Sequence, residues 1–93
     1  MKARIITPEG EETEVEPANG QTFTLEEMQR IVGGYVETVI VRDGDRLRRM
    51  ALNEDGISLR LKPNPKATHL WLRSGGGSTV VGTVLVFNRS QLR

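Results

Sequence analysis

Short apolar runs separated by turn residues make up most of the chain, and the spacing inside each run assigns its element. Lys2–Thr7 is a β-branched run closed by Pro8-Glu9-Gly10, which predicts a strand followed by a turn. Glu11–Glu16 alternates acid with Thr13 and Val15, the pattern of an edge strand whose charges discourage sheet-to-sheet pairing. Pro17–Gly20 is the next break. A helix then begins at Thr24, where Thr24 and Glu27 have the spacing of a capping box. Leu25, Met28, Ile31 and Val32 form its single apolar stripe, and Gly33-Gly34 ends it. A helix this short melts in isolation, so it must dock on a sheet.

The strongest strand signal is Tyr35–Arg42. Asp43-Gly44 turns it into an antiparallel return over Arg46–Leu52. Asn53–Gly56 makes another turn, feeding Ile57–Leu61, in which Ile57, Leu59 and Leu61 alternate with Ser58 and Arg60. Lys62-Pro63-Asn64-Pro65 forbids regular pairing and marks an ordered loop. Ala67–Arg73 fits a short helix and a strand equally well, and Ser74–Ser78 reads as flexible. Thr79–Phe87 is apolar on both faces, which places it centrally in the sheet. The expectation is one α+β domain over residues 1–87: a mostly antiparallel sheet of four to six strands with one short helix packed on one face. Residues 88–93 are expected to fray.

Length changes this picture little: 93 residues suit one domain. The absence of cysteine removes disulfides, thiolate nucleophiles and Cys-based metal sites, and suggests a reducing cytoplasm. The apolar run at the N-terminus is too short for a signal peptide or a membrane span. Net charge is +1, but it is unevenly distributed. Residues 1–37 hold 3 basic and 8 acidic side chains, a balance of −5; residues 38–93 hold 10 basic and 4 acidic ones, a balance of +6. Three readings follow: opposite surfaces that neutralise one another, a basic face that meets an anion, or complementary surfaces joining identical copies. A homo-oligomer is expected, because one short helix cannot cover a sheet that is apolar on both faces.

Catalytic chemistry finds no anchor. His69 is the only histidine, without a cysteine or second histidine to make a nucleophile pair or a metal site. Asp43-Gly44-Asp45 lacks the remaining ligands of a calcium loop and reads as a hairpin turn. Gly33-Gly34 leaves a helix and Gly75–Gly77 precedes a strand, whereas a phosphate loop leads from a strand into a helix N-terminus. No enzyme, cofactor or metal is therefore expected. The basic residues remain: Arg42, Arg46, Arg48 and Arg49 crowd one hairpin, with Arg60, Lys62, Lys66 and Arg73 later. Alternation puts Arg46 and Arg48 on one strand face, and Arg60 with Lys62 on another. Nucleic acid is disfavoured, since Tyr35 and Trp71 are the only rings placed to stack on bases and the net charge is barely positive. A small anionic ligand needs fewer groups. The candidate site comprises Arg42, Arg46, Arg48, Arg60 and Lys62, with Tyr35 or Trp71 for stacking and Asn64 in a neighbouring loop.

Four segments carry a resemblance. Gln29–Glu37 fits Q-x-x-V-G-G-x-[IV]-E, Asn53–Gly56 fits N-E-[ED]-G, Pro63–Ala67 fits P-N-x-x-A, and Val81–Val86 fits x-G-T-x-x-[IV]. In this order they resemble a family of small proteins of unknown function common in bacteriophages, plasmids and integrated elements. The resemblance spans Ile5 to Phe87. It implies a mobile-element origin, and no activity that transfers residue by residue. Together with the arginine-rich half, it leads to the expectation of a non-enzymatic, cytoplasmic binding module. Such a module would sequester a nucleotide-like anionic signal as a counter-defence protein. The alternative is a protein-binding inhibitor of a host enzyme or defence protein, acting through the acidic arm or a sheet edge.

Overall fold

Five strands, every adjacent pair antiparallel, form one sheet in the computed structural model, which describes residues 2–92. The strands are β1 (Ala3–Ile6), β2 (Glu12–Val15), β3 (Val36–Asp43), β4 (Arg46–Asn53) and β5 (Val84–Phe87), in the spatial order β2-β1-β5-β4-β3. β5 is buried at all four positions and lies in the centre, as its two-sided apolar pattern requires. The acidic β2 is an edge strand.

Two helices cover the sheet, one on each face, where one was expected. α1 (Leu25–Val32) has the capping box read from the sequence: the Thr24 hydroxyl accepts from the Glu27 amide, and the Glu27 carboxylate accepts from the Thr24 amide. Gly33 ends it at φ 81°, where its amide donates to the Gln29 carbonyl. Met28 and Val32 pack against Ala3, Ala51, Leu85 and Phe87, with Phe23 edge-on to Phe87 at a centroid distance of 5.6 Å. α2 (Pro65–Arg73) resolves the ambiguous segment. Asn64 caps it and Pro65 takes its first turn, where a missing amide costs nothing. Ala67 and Leu70 cover Ile6, Val41, Met50, Val84 and Val86 on the opposite face. This second helix covers the sheet face that a single helix would have left open.

Two further expectations are corrected. Ile57–Leu61 is not a strand but a succession of turns, closed by Leu59 and Leu61 amides donating to the Asp55 and Gly56 carbonyls. Arg60 adopts φ 56° within them, and Ile57 and Leu59 point into solvent. Residues 88–92 of the expected frayed tail are tied down: Arg89–Gln91 form a 3-10 turn, Leu92 bridges to Phe23, and the Gln91 carbonyl accepts from the Phe23 amide. Arg93 of that tail lies outside the described residues.

Candidate functional site

The period of a helix gathers on one side of α2 what the sequence spreads over eight positions. Lys66, His69 and Arg73 follow one another at intervals of three and four, so they line one flank while Ala67 and Leu70 face the core. Below that flank lie Arg4 and Ile6 of β1, and beside them Glu12, which pairs with Ile6 across the β1–β2 ladder. These residues enclose an open groove of about 350 Å³.

The floor of the groove is an ion-pair chain. The Lys66 ammonium donates to Glu12 Oε2 at 2.9 Å and to the Gly10 carbonyl at 2.7 Å. Arg4 Nε donates to Glu12 Oε1 at 2.8 Å, while its Nη1 and Nη2 grip Asp43 at 2.6 and 3.3 Å. Arg48 Nη1 reaches the same Asp43 Oδ2 at 3.2 Å. Lys66–Glu12 and Lys62–Glu9 join the basic and acidic parts of the chain, so neutralisation accounts for some of the charge asymmetry. Two further side chains of the groove stay unpaired. Among the described residues the exposed side chains of His69 and Arg73 have no hydrogen-bond or ion-pair partner, and both border the groove. Register places Arg46 opposite Asp43, at the outer end of the same sheet face.

The fork of Arg4 is the main cause holding the Asp43 carboxyl below the usual aspartate range, with Arg48 adding to it. Lys66 does the same for Glu12, helped by Arg4. A depressed carboxylate stabilises the fold fully above its unfolded pKa, near about 3.9 for aspartate, and that contribution is lost as pH falls through the lower folded value. Urea unfolding midpoints are therefore expected to fall between neutral pH and strong acid, and to fall less steeply in Asp43→Asn. Equal acid sensitivity of the two proteins would show that the pair does not contribute to stability.

Of the residues singled out in the sequence, the fold makes no single site. Arg46 and Arg48 do share a face, but Arg48 is fully buried and serves the interior, donating to Asp43, Asn88 Oδ1 and the Lys2 carbonyl. Arg42 lies on the opposite face of β3, facing the α1 side. Tyr35, 68% exposed, precedes β3 at the far end from the hairpin turn, about 26 Å away for eight strand residues. Arg60 and Lys62 belong to the turns and loop of that far end, so they cannot assist the hairpin arginines. Asn64 is completely buried and holds backbone: its amide group donates to the Ile6 and Gly82 carbonyls, and its oxygen accepts from the Ala67 amide. Trp71 lies on the other flank of α2, lining a separate cavity of about 200 Å³. The candidate site read from the sequence left out Arg4, Glu12, Lys66, His69 and Arg73; the available signal was the helical spacing of Lys66, His69 and Arg73.

The resemblance motifs also acquire a physical meaning. Asn53 Nδ2 donates to the Val32 carbonyl, and a Cβ on Gly34 would stand 2.9 Å from that nitrogen. A Cβ on Gly56 would strike Val81 at 2.7 Å. Asn64 closes the circuit through Gly82. The four segments thus hold one another around the end of the sheet where β3 begins and β4 ends, and Lys66 of the third also reaches the ion-pair chain.

Among the described residues, no group of three or more His, Asp or Glu side chains is placed to hold a metal ion. No described helix is long and apolar enough to cross a membrane. A family described as a domain of unknown function, DUF3846, matches residues 1–91. No curated protein and no solved structure matches the chain.

Proposed function

We propose, from the premise that the chain belongs to the DUF3846 family of domains of unknown function, that it is a non-enzymatic binding domain holding a small phosphate-bearing ligand in the α2 groove. The observation that carries this reading is the pair of unpartnered donors, His69 and Arg73, beside cations already fixed in place. Glu12 and Asp43 hold Lys66 and Arg4 rigid, so a ligand meets donors whose ordering cost has been met by the fold. Arg73 is free to give a charge-assisted, forked contact to a phosphate. The groove's volume of about 350 Å³ falls within the range of small-molecule sites, about 300–1,000 Å³.

Glu12 is doubly paired and held below its usual range, which makes it a poor general base, so the groove favours retention over turnover. With the mobile-element resemblance, a nucleotide-like signal captured one-for-one in the host cytoplasm is the ligand this reading implies. Calorimetric titration with cyclic nucleotides and ADP-ribose derivatives tests it. Saturable heat is expected, and Arg73→Ala should weaken binding about tenfold or more, the scale of one charge-assisted hydrogen bond. The melting temperature should hold, because an exposed arginine without partners stabilises little. No heat from any member of the panel overturns the reading. The alternative, a protein-binding inhibitor of a host enzyme or defence protein, is favoured by a different observation, the open outer edge of β3.

A further inference from the structure

The two edges of the sheet are not equally guarded. β2 is four residues long and bristles with Glu12 and Glu14, which keep other strands away. β3 is eight residues long, and its run from Val36 to Val41 carries one charged side chain, Glu37. The Arg42 amide donates to Ser74 Oγ at 2.8 Å, so it points away from β4. Antiparallel pairing alternates inward and outward backbone groups, which turns the amides and carbonyls of Val36, Thr38 and Ile40 to the same outer side. Neither Thr38 nor Ile40 has a backbone hydrogen bond there among the described residues. Ser74 closes the edge at Arg42 and leaves it open over Val36–Ile40.

Both faces beside that open stretch offer side-chain contacts. On the α1 side, Ile40 and Leu47 are 43% and 47% exposed and stand diagonally across the β3–β4 ladder. On the α2 side is the cavity of about 200 Å³ lined by Glu37, Val39, Leu52, Trp71 and Thr79. Its indole wall is fixed, because Gly76 lies flat against the ring: a Cβ there would be 2.0 Å from Trp71 Cε2. Glu37 is exposed and has no ion-pair partner among the described residues. An apolar floor, an indole and a free carboxylate suit a lysine or arginine side chain, whose stem packs on Val39 while its charge meets Glu37 and the ring.

We propose that the β3 edge takes an extended peptide segment of another protein, adding a sixth strand, with a basic side chain of that segment seated in the Trp71–Glu37 cavity. Backbone bonds to Thr38 and Ile40 supply affinity, and the cavity selects a basic residue at one of the alternate positions. Apolar residues on the segment's other face cover Ile40 and Leu47. This site is independent of the α2 groove.

The test uses the full chain and a fluorescein-labelled nonapeptide of alternating valine and threonine with a central lysine, followed by anisotropy. Saturable binding is expected. It should be lost when alternate peptide amides are N-methylated, and lost when the central lysine is replaced by glutamate. Glu37→Gln should weaken it about fivefold, the scale of an exposed ion pair. Ile40→Pro removes an outward donor without touching the β4 ladder, and should abolish binding with an unchanged circular dichroism spectrum. Arg73→Ala should bind this peptide like the parent, which separates failure here from failure of the groove reading. Equal binding of the lysine and glutamate peptides, insensitivity to N-methylation, or no binding at all overturns the proposal. A dimer by sedimentation that Ile40→Pro dissolves also overturns it, since a second copy would then occupy the edge.

Discussion

Asn64→Ala is expected to lower the unfolding free energy by about 3–6 kcal/mol, summing a lost helix cap and two buried carbonyls stripped of donors. The side chain is fully buried and makes three hydrogen bonds, to Ile6 O, Gly82 O and the Ala67 amide. These tie β1, the lead-in to β5 and the start of α2 to a single atom group. A domain of this size commonly holds only about 5–13 kcal/mol in total, so the variant should be close to unfolded at ambient temperature. Asn64→Asp separates the contributions: the carboxylate still caps α2 but faces two carbonyl oxygens, so it should lose nearly as much. Urea denaturation followed by tryptophan fluorescence measures both. A loss below about 1 kcal/mol would mean that the carbonyls find other donors.

Arg48→Met should cost about 3–5 kcal/mol, the range for removing one partner of a buried ion pair. Methionine fills much of the volume, so the loss reports hydrogen bonds rather than a cavity. Three acceptors are deprived together: Asp43 Oδ2, Asn88 Oδ1 and the Lys2 carbonyl. Arg48→Lys keeps the charge but has no fork to span them, and should recover less than half of the loss. A lysine variant as stable as the parent would show that charge alone matters at this position.

These two residues mark where reading the sequence succeeded and where it stopped. Alternation correctly put Arg46 and Arg48 on one face of β4, yet it is silent on which rung lies under a neighbouring acid. Arg48 turned inward because Asp43, the Lys2 carbonyl and Asn88 surround it there, and each comes from a distant part of the chain or across a turn. Asn64 reads from the sequence as a loop residue at the edge of a ligand site, whereas it is buried and holds backbone. Its pairing with Pro65 is a helix-start signal, and weighing it would have settled the ambiguity of Ala67–Arg73. The run Ile57–Leu61 misled for the opposite reason. Its alternation is perfect, but consecutive turns and the left-handed Arg60 use the same pattern to bury Leu61 partly while leaving Ile57 and Leu59 in water. The Thr24–Glu27 capping box and the Gly33 stop are local chemistry and read true. The α2 groove depends on a helix, two strands and a cross-sheet arginine, and so becomes legible only in three dimensions.

The position of β5 has a consequence for how the chain is made. Among the described residues β5 is the last strand in chain order, yet it stands between β1 and β4, so that Ile5 pairs with Leu85 and Leu85 with Ala51. Before it leaves the ribosome, the nascent chain holds two separate hairpins, and an isolated two-stranded hairpin is marginal in water. Neither helix has a complete surface to dock on, because α1 needs Leu85 and Phe87 and α2 needs Val84 and Val86. Folding therefore waits for β5 and is expected to be slow for a domain of this size, because the decisive contacts join distant segments. A chain cut before Val84 is therefore expected to leave two unjoined hairpins with no core between them, rather than a smaller version of the same fold.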